Sequence, residues 1–420
     1  MQWLILIGRK LIRWASITVA IPLVCLFRAL RPLIEVRYGY IYADRIGHFA
    51  FDLEFYLTES KIFPPIGRTI DLFFLLGRPC NAAIHEMMKR HVVVNSFVEY
   101  LFAAEKLIPG RRNLIYPARL RTGSTDPQGL FSKIPPQLAL SDRQSEEGLN
   151  YLRSIGCLGD ERIVCLIVRD RAYLDKTRSD RDWGYHKYRD SNIDNYKDVA
   201  RHLAEKGYWV FRMGKIVEHR FTVDHPRVID YANSDQRSDL LDVWLLSRCS
   251  FVISTSVGLD SVADAFRKPL VFVNFLPLAW FQTWSHCMLA PSHLNWRSSG
   301  RELTCHEHLL NSYLRSDDYD SAGIDVAELS SIEILNVVKE FEEALTLGSD
   351  LELNDQLSQR RFWHIFFDAL ESGETSRVGT VLPEKRRIPE IKGRRVVHAK
   401  ARLSLRYLES HPTFLNNPRP

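Results

Sequence analysis

The chain has 420 residues, 45% hydrophobic and 25% charged, an ordinary balance for a folded globular protein with a sizeable core. That length allows about two or three domains. The formal net charge of +5 is a mild excess over this length, and no helix-turn-helix or finger pattern appears, so nucleic acid is not an expected partner. The seven cysteines are scattered without a C-x-x-C pair, which excludes the usual zinc and redox spacings. Several lie in apolar runs, as the buried thiols of a cytosolic protein do.

Residues 1–34 contain no acidic side chain. Arg9, Lys10, Arg13, Arg28 and Arg31 interrupt apolar blocks at 3–7 and 15–27. The second block falls short of the ~20 residues that span a bilayer as a helix, and Pro22 lies inside it. This pattern predicts a basic, apolar helix or helix pair in the membrane interface, its arginines toward anionic lipid. Whether it lies on the bilayer or crosses it is open at this level.

Residues 36–42 alternate like a strand and are followed by Ala43-Asp44-Arg45-Ile46-Gly47-His48-Phe49 and a helical run at 50–59. Gly47 and His48 are thus expected at a strand-to-helix turn, where backbone can approach a ligand and the first N–H groups suit an anion. Histidine titrates near neutrality, so His48 is a candidate general base. Further strands are predicted at 71–76 and 92–94, with helices at 81–90 and 97–107. Residues 109–136, rich in Pro, Gly, Ser and Arg, read as a long loop.

A helix at 141–155 leads into the most regular stretch. Residues 163–168 form an apolar strand, 192–206 a helix, 208–211 a strand, 228–231 a short strand and 239–248 a helix. A strand at 251–253, a helix at 259–266 and a strand at 270–273 follow. Continuous apolar strands alternating with helices indicate a parallel sheet covered on both faces. Ligands bind beyond the carboxyl ends of such strands, which puts Arg169, Asp170, Arg212, Gly214, Ser254, Thr255, Ser256 and Gly258 on one rim. The loop from Arg169 to Asn192 is long for a connection and supplies cations, carboxylates and aromatic faces: Arg169, Arg171, Lys176, Arg189, Asp170, Asp190, Tyr173, Tyr185 and Tyr188. Residues 254–258, small and hydroxylated with a glycine, predict a shallow anion cradle. The sequence there matches neither the P-loop nor G-x-G-x-x-G. The triplets Asp180-Arg181-Asp182 and Asp318-Tyr319-Asp320 follow no predicted strand, and His286, His293, His306 and His308 form no convincing ligand set, so no metal is expected.

Amphipathic helices are predicted at 330–346 and 352–370, the second with an aromatic face. Residues 384–406 are very basic and read as a solvated tail or as a further contact with lipid or acceptor phosphate.

The residues Arg45-Ile46-Gly47-His48-Phe49, Val168-Arg169-Asp170, Tyr185-His186-Lys187-Tyr188-Arg189-Asp190-Ser191-Asn192-Ile193 and Arg212-Met213-Gly214 resemble a family of bacterial glycosyltransferases associated with surface-polysaccharide genes. The resemblance covers roughly residues 36–345. More distantly the chain resembles the two-Rossmann (GT-B) glycosyltransferases, including the lipopolysaccharide heptosyltransferases. Those carry an aspartate base after the glycine of the first strand-to-helix turn, where this chain has His48. The resemblance implies an α/β chain of two Rossmann-like domains with an amino-terminal membrane-associated segment at 1–35. The acceptor domain is expected at 36–140, the nucleotide-sugar domain at 141–350, and a carboxyl-terminal helix and basic tail at 351–420.

It further implies His48 and Asp170 as catalytic residues. Donor contacts are implied at Arg169, Arg212, Gly214, Ser254, Thr255, Ser256 and Gly258, and substrate-loop residues at Gly47, Tyr185, His186, Tyr188, Arg189 and Asp190. The expected partners are a nucleotide-sugar, a lipid-linked or glycan acceptor and an anionic membrane surface, with no cofactor. The expected location is the cytoplasmic face of the cell membrane, held peripherally. Transfer of another group, such as pyruvyl, and a non-catalytic membrane-docked scaffold remain alternatives.

Overall fold

The computed structural model describes residues 2–110, 112–158, 160–177, 184–347, 353–372 and 395–416. The Asp180-Arg181-Asp182 triplet and the basic residues Lys385, Arg386, Arg387, Lys392 and Arg394 lie outside the described residues.

The first part comprises α1 (Gln2–Ala29), β1 (Glu35–Tyr42), α2 (Ile46–Ile62), β2 (Thr69–Leu76), α3 (Ala82–His91), β3 (Val93–Val94), α4 (Val98–Leu107), β4 (Leu114–Ile115) and α5 (Ala118–Arg121). Its strands form a parallel sheet in the order β3-β2-β1-β4. Helix α2 starts at Ile46, before the apolar run that suggested it, so His48 belongs to its first turn. Strand β4 lies within the expected loop. Two residues carry no periodicity, and their strand exists only because Tyr38 and Gly39 of β1 pair with them.

The second part begins with α6 (Asp142–Ser154), whose first turn is closed by a reciprocal Ser141/Gln144 capping box. There follow β5 (Ile163–Ile167), α7 (Ala172–Thr177), α8 (Lys197–Glu205), β6 (Trp209–Arg212), β7 (Val228–Ile229), α9 (Asp239–Arg248), β8 (Phe251–Ser254), α10 (Asp260–Ala265), β9 (Leu270–Phe275) and β10 (Cys287–Pro291). Then come β11 (His293–Trp296), α11 (Cys305–Leu310), α12 (Ser316–Ser321), β12 (Ile324–Ala327), α13 (Ser331–Leu347), α14 (Leu353–Glu371), β13 (Arg402–Leu403) and α15 (Leu405–Ser410). The large sheet is parallel throughout, ordered β7-β6-β5-β8-β9-β10-β13. Every residue of β5, β6, β8 and β9 is buried, which is why these strands read as continuous apolar runs. The expected pair of parallel α/β units is present. The described end of the expected tail differs, because Arg402 and Leu403 add an edge strand and α15 packs on α13.

Helix α1 is one continuous helix through Pro22, not two blocks. Its 20-residue stretch Lys10–Ala29 is long and apolar enough to cross a membrane by length and composition, contrary to the expectation of a short block. One face buries Ile17, Ala20 and Val24 in a cluster with Val98, Leu101, Phe102 and Ala104 of α4. Of the arginines expected to face lipid, Arg28 and Arg31 face protein instead. Glu105 is fully buried and needs a cation, which Arg28 (3.0 Å) and Arg31 (3.5 Å) supply, while Arg13 lies 3.7 Å from Glu99.

The two units meet where α2 crosses α10. A Cβ on Gly47 would stand 2.9 Å from the Cα of Gly258 and 3.0 Å from its carbonyl oxygen, so only glycine permits this approach. Farther along α2, fully buried Glu54 accepts from Arg267 Nη2 (2.7 Å), the backbone N–H of Leu138 (2.8 Å) and the Thr58 hydroxyl (3.0 Å). Removing the guanidinium strands a buried carboxylate. Arg267→Ala is therefore expected to lower the unfolding free energy by about 3 kcal/mol. Urea titration of the two proteins measures this, and coincident curves would show that the pair does not hold the seam.

Candidate functional site

Read from its edge, the large sheet runs β7-β6-β5-β8-β9-β10, which in chain order is 3-2-1-4-5-6. The strand order reverses between β5 and β8. The small sheet reverses in the same way between β1 and β4. Crevices at such switch points are where open α/β sheets bind ligands. Here both open into one cleft of about 640 Å³. Its walls are the turns after β1 (Asp44, Arg45, Gly47, His48), β2 (Arg78, Cys80, Asn81), β5 (Arg169, Asp170), β6 (Gly214, Lys215) and β8 (Ser256, Val257, Gly258). Ser124, His186, Arg189, Trp280 and Gln282 complete the lining used below.

On the small-sheet side, His48 Nδ1 lies 2.9 Å from Ser124 Oγ, and that hydroxyl donates to Asp52 Oδ1 at 2.8 Å. When Asp52 is ionised the single hydroxyl proton goes to its carboxylate, and Nδ1 of His48 is then the nitrogen that donates to Ser124. The lone pair of the neutral ring then sits on Nε2. Burial, followed by the charges of Arg119 and Arg45, pushes His48 down to about 4. Burial pushes Asp52 up to about 7. The site therefore holds a neutral imidazole at neutral pH, its tautomer set by the charge on Asp52.

On the large-sheet side, the wall is cationic. His186 is pushed down to about 3 by burial and then by the charges of Arg169, Arg189, Arg45 and Arg315. Of these, Arg45, Arg169 and Arg189 line the cleft. Arg169 is anchored through Nε to Asp190 Oδ1 (3.1 Å), and its backbone N–H donates to Thr255 Oγ1 (3.0 Å). Burial and the neighbouring Arg189 lower the Arg169 pKa, and burial raises that of Asp190. Arg189 donates to the carbonyl of Ser256, joining the long loop to the turn after β8. Lys215 donates to the carbonyl of Cys80 and to Asp239 Oδ1, both at 3.1 Å, from one unit to the other and within its own.

Several expected site residues are placed differently. Arg212 is 1% exposed and does not line the cleft. It lies 3.3 Å from Asp230 and 3.7 Å from Asp170, a buried cation between two carboxylates. Asp170 borders the cleft, but Oδ1 accepts the N–H of Ala172 (3.0 Å) and Oδ2 that of Glu218 (2.9 Å), so its carboxylate shapes loops. The predicted anion cradle already has an anion. Asp260 Oδ2 accepts from Ser254 Oγ (2.9 Å) and the N–H of Val257 (2.8 Å). Ser254 and Thr255 are buried beneath the turn, and Ser256, Val257 and Gly258 face the cleft. Tyr188 is buried against Tyr319, and Tyr185 carries Arg315 over its ring at 4.8 Å; neither lines the cleft. Gly47 does line it, but its close approach is to Gly258 rather than to a ligand.

The sequence reading missed Asp52, Ser124, Arg45, Arg78 and Lys215. Asp52 had a legible signal. It lies four residues after His48, on the same helical face, and interrupts the apolar run Phe49-Ala50-Phe51. Ser124 had none, since a loop of irregular sequence brings it in from 76 positions away.

No family model matches the chain, and no curated protein matches it. Among solved structures it is similar to a glycosyl transferase of family 9 from Veillonella parvula DSM 2008. That match has 10% identity, covers 62% of this chain and 86% of that one, and has a TM-score of 0.41. It is also similar to the E. coli ADP-heptose lipopolysaccharide heptosyltransferase II at 14% identity, over 57% and 85% of the two chains, with a TM-score of 0.32. A third, the E. coli heptosyltransferase WaaC with ADP, is 11% identical over 56% and 86%, with a TM-score of 0.27.

The His48 environment has a measurable signature. Its folded-state pKa lies below the ordinary 6.5, so its contribution to stability is complete above 6.5 and lost as pH falls from there toward 4. NMR titration of the imidazole should show a neutral ring down to about pH 5 and a midpoint near 4. A midpoint at 6.5 would mean that the ring is solvated and the Ser124 link is not formed.

Proposed function

We propose that this protein is a glycosyltransferase of the two-Rossmann type, moving a sugar from a nucleotide-sugar to a lipid-linked or growing glycan acceptor. One observation carries this reading. Two sheet switch points face each other across a single cleft, a neutral histidine hydrogen-bonded to Ser124 on one side and the guanidinium groups of Arg169 and Arg189 on the other. Glycosyl transfer from a diphosphate donor needs that division of labour. The acceptor hydroxyl gives its proton to Nε2 of His48 as its oxygen bonds to the anomeric carbon. The bond from that carbon to the diphosphate oxygen breaks, and the nucleoside diphosphate leaves with the bonding electrons. If the acceptor attacks from the face opposite the diphosphate, the configuration inverts.

Negative charge develops on the leaving diphosphate, and Arg169, Arg189 and Arg45 are placed to stabilise it without reorganisation. This is the task a divalent metal performs in other sugar transferases, so the proposed reaction is metal-independent. Ser124 and Asp52 orient His48, and the elevated pKa of Asp52 lets it share charge as the imidazolium forms.

Helix α1 supports a peripheral membrane location for the same enzyme. Its inner face is pinned to α4. Its outer face exposes Leu11, Ile12, Trp14, Val19 and Leu26, each more than half exposed. An apolar stripe with a tryptophan suits the headgroup boundary, where acceptor lipids present their polar ends. Replacing Leu11, Ile12 and Trp14 with glutamate should abolish flotation with anionic phospholipid vesicles while leaving the thermal midpoint unchanged. Flotation equal to wild type would remove the membrane role of this face.

The donor is tested by thermal stability against free nucleotides and nucleotide-sugars. A ligand at 100 times its dissociation constant adds about 2.7 kcal/mol, so a true donor gives a clear shift. With that donor, Arg169→Ala should reduce turnover roughly a hundredfold or more, the scale of losing one preorganised charge-stabilising donor. No shift with any nucleotide would overturn the donor assignment, and full turnover in the variant would overturn the role of Arg169.

A further inference from the structure

A cluster remote from the cleft remains unexplained by glycosyl transfer. It brings together side chains from four separated segments: His293 at the start of β11, Glu302 in the following loop, Glu333 in the first turn of α13, and His411 just after α15. His293 Nδ1 lies 3.0 Å from Glu302 Oε1 and 3.2 Å from His411 Nε2, and the latter two atoms are 3.5 Å apart. Glu333 Oε1 stands 3.6 Å from His411 Nε2 and 3.3 Å from His293 Nε2. Zinc bound tetrahedrally at about 2.0–2.1 Å holds its donors roughly 3.3 Å apart, so the first three atoms already have the spacing of one face of such a site.

The protonation states favour a cation there. His411 Nδ1 is 2.7 Å from the carbonyl of Tyr407, which fixes the proton on Nδ1 and turns the Nε2 lone pair toward the two carboxylates and His293. An imidazole held by a carbonyl in this way is the usual orientation of a metal-ligating histidine. Two imidazoles and two carboxylates thus converge on one region, and a divalent ion placed there would neutralise both carboxylates. Behind the cluster, fully buried His308 has no hydrogen-bond partner at either ring nitrogen and lies near enough to His293 and His411 to feel their charge.

We propose that His293, His411, Glu302 and Glu333 bind one divalent transition-metal ion of the zinc class. The ion ties the returning carboxyl-terminal segment, through His411, to β11 and α13. Borderline nitrogen donors with carboxylates suit zinc better than calcium or magnesium, which take all-oxygen sets. The role is structural and separate from the cleft, so it stands or falls independently of the transferase reading.

The test uses the full-length protein, stripped with a chelator and dialysed against Zn²⁺. Elemental analysis should find about one equivalent bound. The variants His411→Ala and Glu302→Gln/Glu333→Gln should each retain less than about a fifth of it, and the zinc-dependent rise in thermal midpoint should vanish with it. Co²⁺ in place of Zn²⁺ should give visible absorption of a tetrahedral N/O site. If His411→Ala does not fold, the paired glutamine variant decides alone, since its side chains keep size and hydrogen bonding. Overturning outcomes are wild-type protein that binds no metal above background, or variants that bind as much as wild type, which would place the ion on other groups such as the free thiols.

Discussion

The closeness of two backbones, at Gly47 and Gly258, is the constraint on which the rest of this structure depends. A side chain at Gly47 would force α2 away from α10, and with it the turn after β1 from the turn after β8. Each of those turns belongs to a switch point, so the same contact that joins the units also sets the width of the cleft. The seam it creates is dry and polar at once. Asp52, Glu54, Asp260 and Asp264 are all buried along α2 and α10. Each is held by designated partners: Ser124, Arg267, Ser254 with Val257, and Trp284 with Ser285. A buried carboxylate with a missing partner is costly, so this network tolerates little relative movement of the units.

The same pairing also explains why the cationic wall of the cleft differs from a simple phosphate-binding turn. The Ser254 hydroxyl and the Val257 N–H are taken by Asp260, and the Ser256 N–H by Ser254, so the turn is braced from within. Attraction for an anion then falls to side chains arriving from elsewhere. Arg169 comes from β5, Arg189 from the long loop and Arg45 from the other unit. Arg212 shows the complementary case. It sits at the end of a strand like Arg169, yet its two neighbouring carboxylates neutralise it inside the protein, and it serves the loops instead of a substrate.

The amino-terminal helix follows the same logic at the opposite edge of the small unit. Its basic residues look, in sequence, like lipid-facing charges. In three dimensions a buried acid, Glu105, captures Arg28 and Arg31, while hydrocarbon and tryptophan, with Lys10 and Arg13, remain outward. The helix is therefore seated as part of the small unit, with its apolar side available.

The sequence by itself determined the two parallel α/β units, because strands buried on both faces must be continuously apolar and the helices between them must show 3.6-residue periodicity. It also determined that His48 opens a helix and that Arg169 ends a strand, since both lie at boundaries marked by composition. Only the tertiary structure decided what those residues meet. His48 acquires its tautomer from Ser124, a residue in an irregular loop. Arg212 loses its cleft position to Asp170 and Asp230, and Ser254 spends its hydroxyl on Asp260. His293 finds His411, 118 positions away, where the sequence offered only isolated histidines. Local pattern reports which face of an element is apolar. It carries no information on which distant polar group will satisfy a buried one.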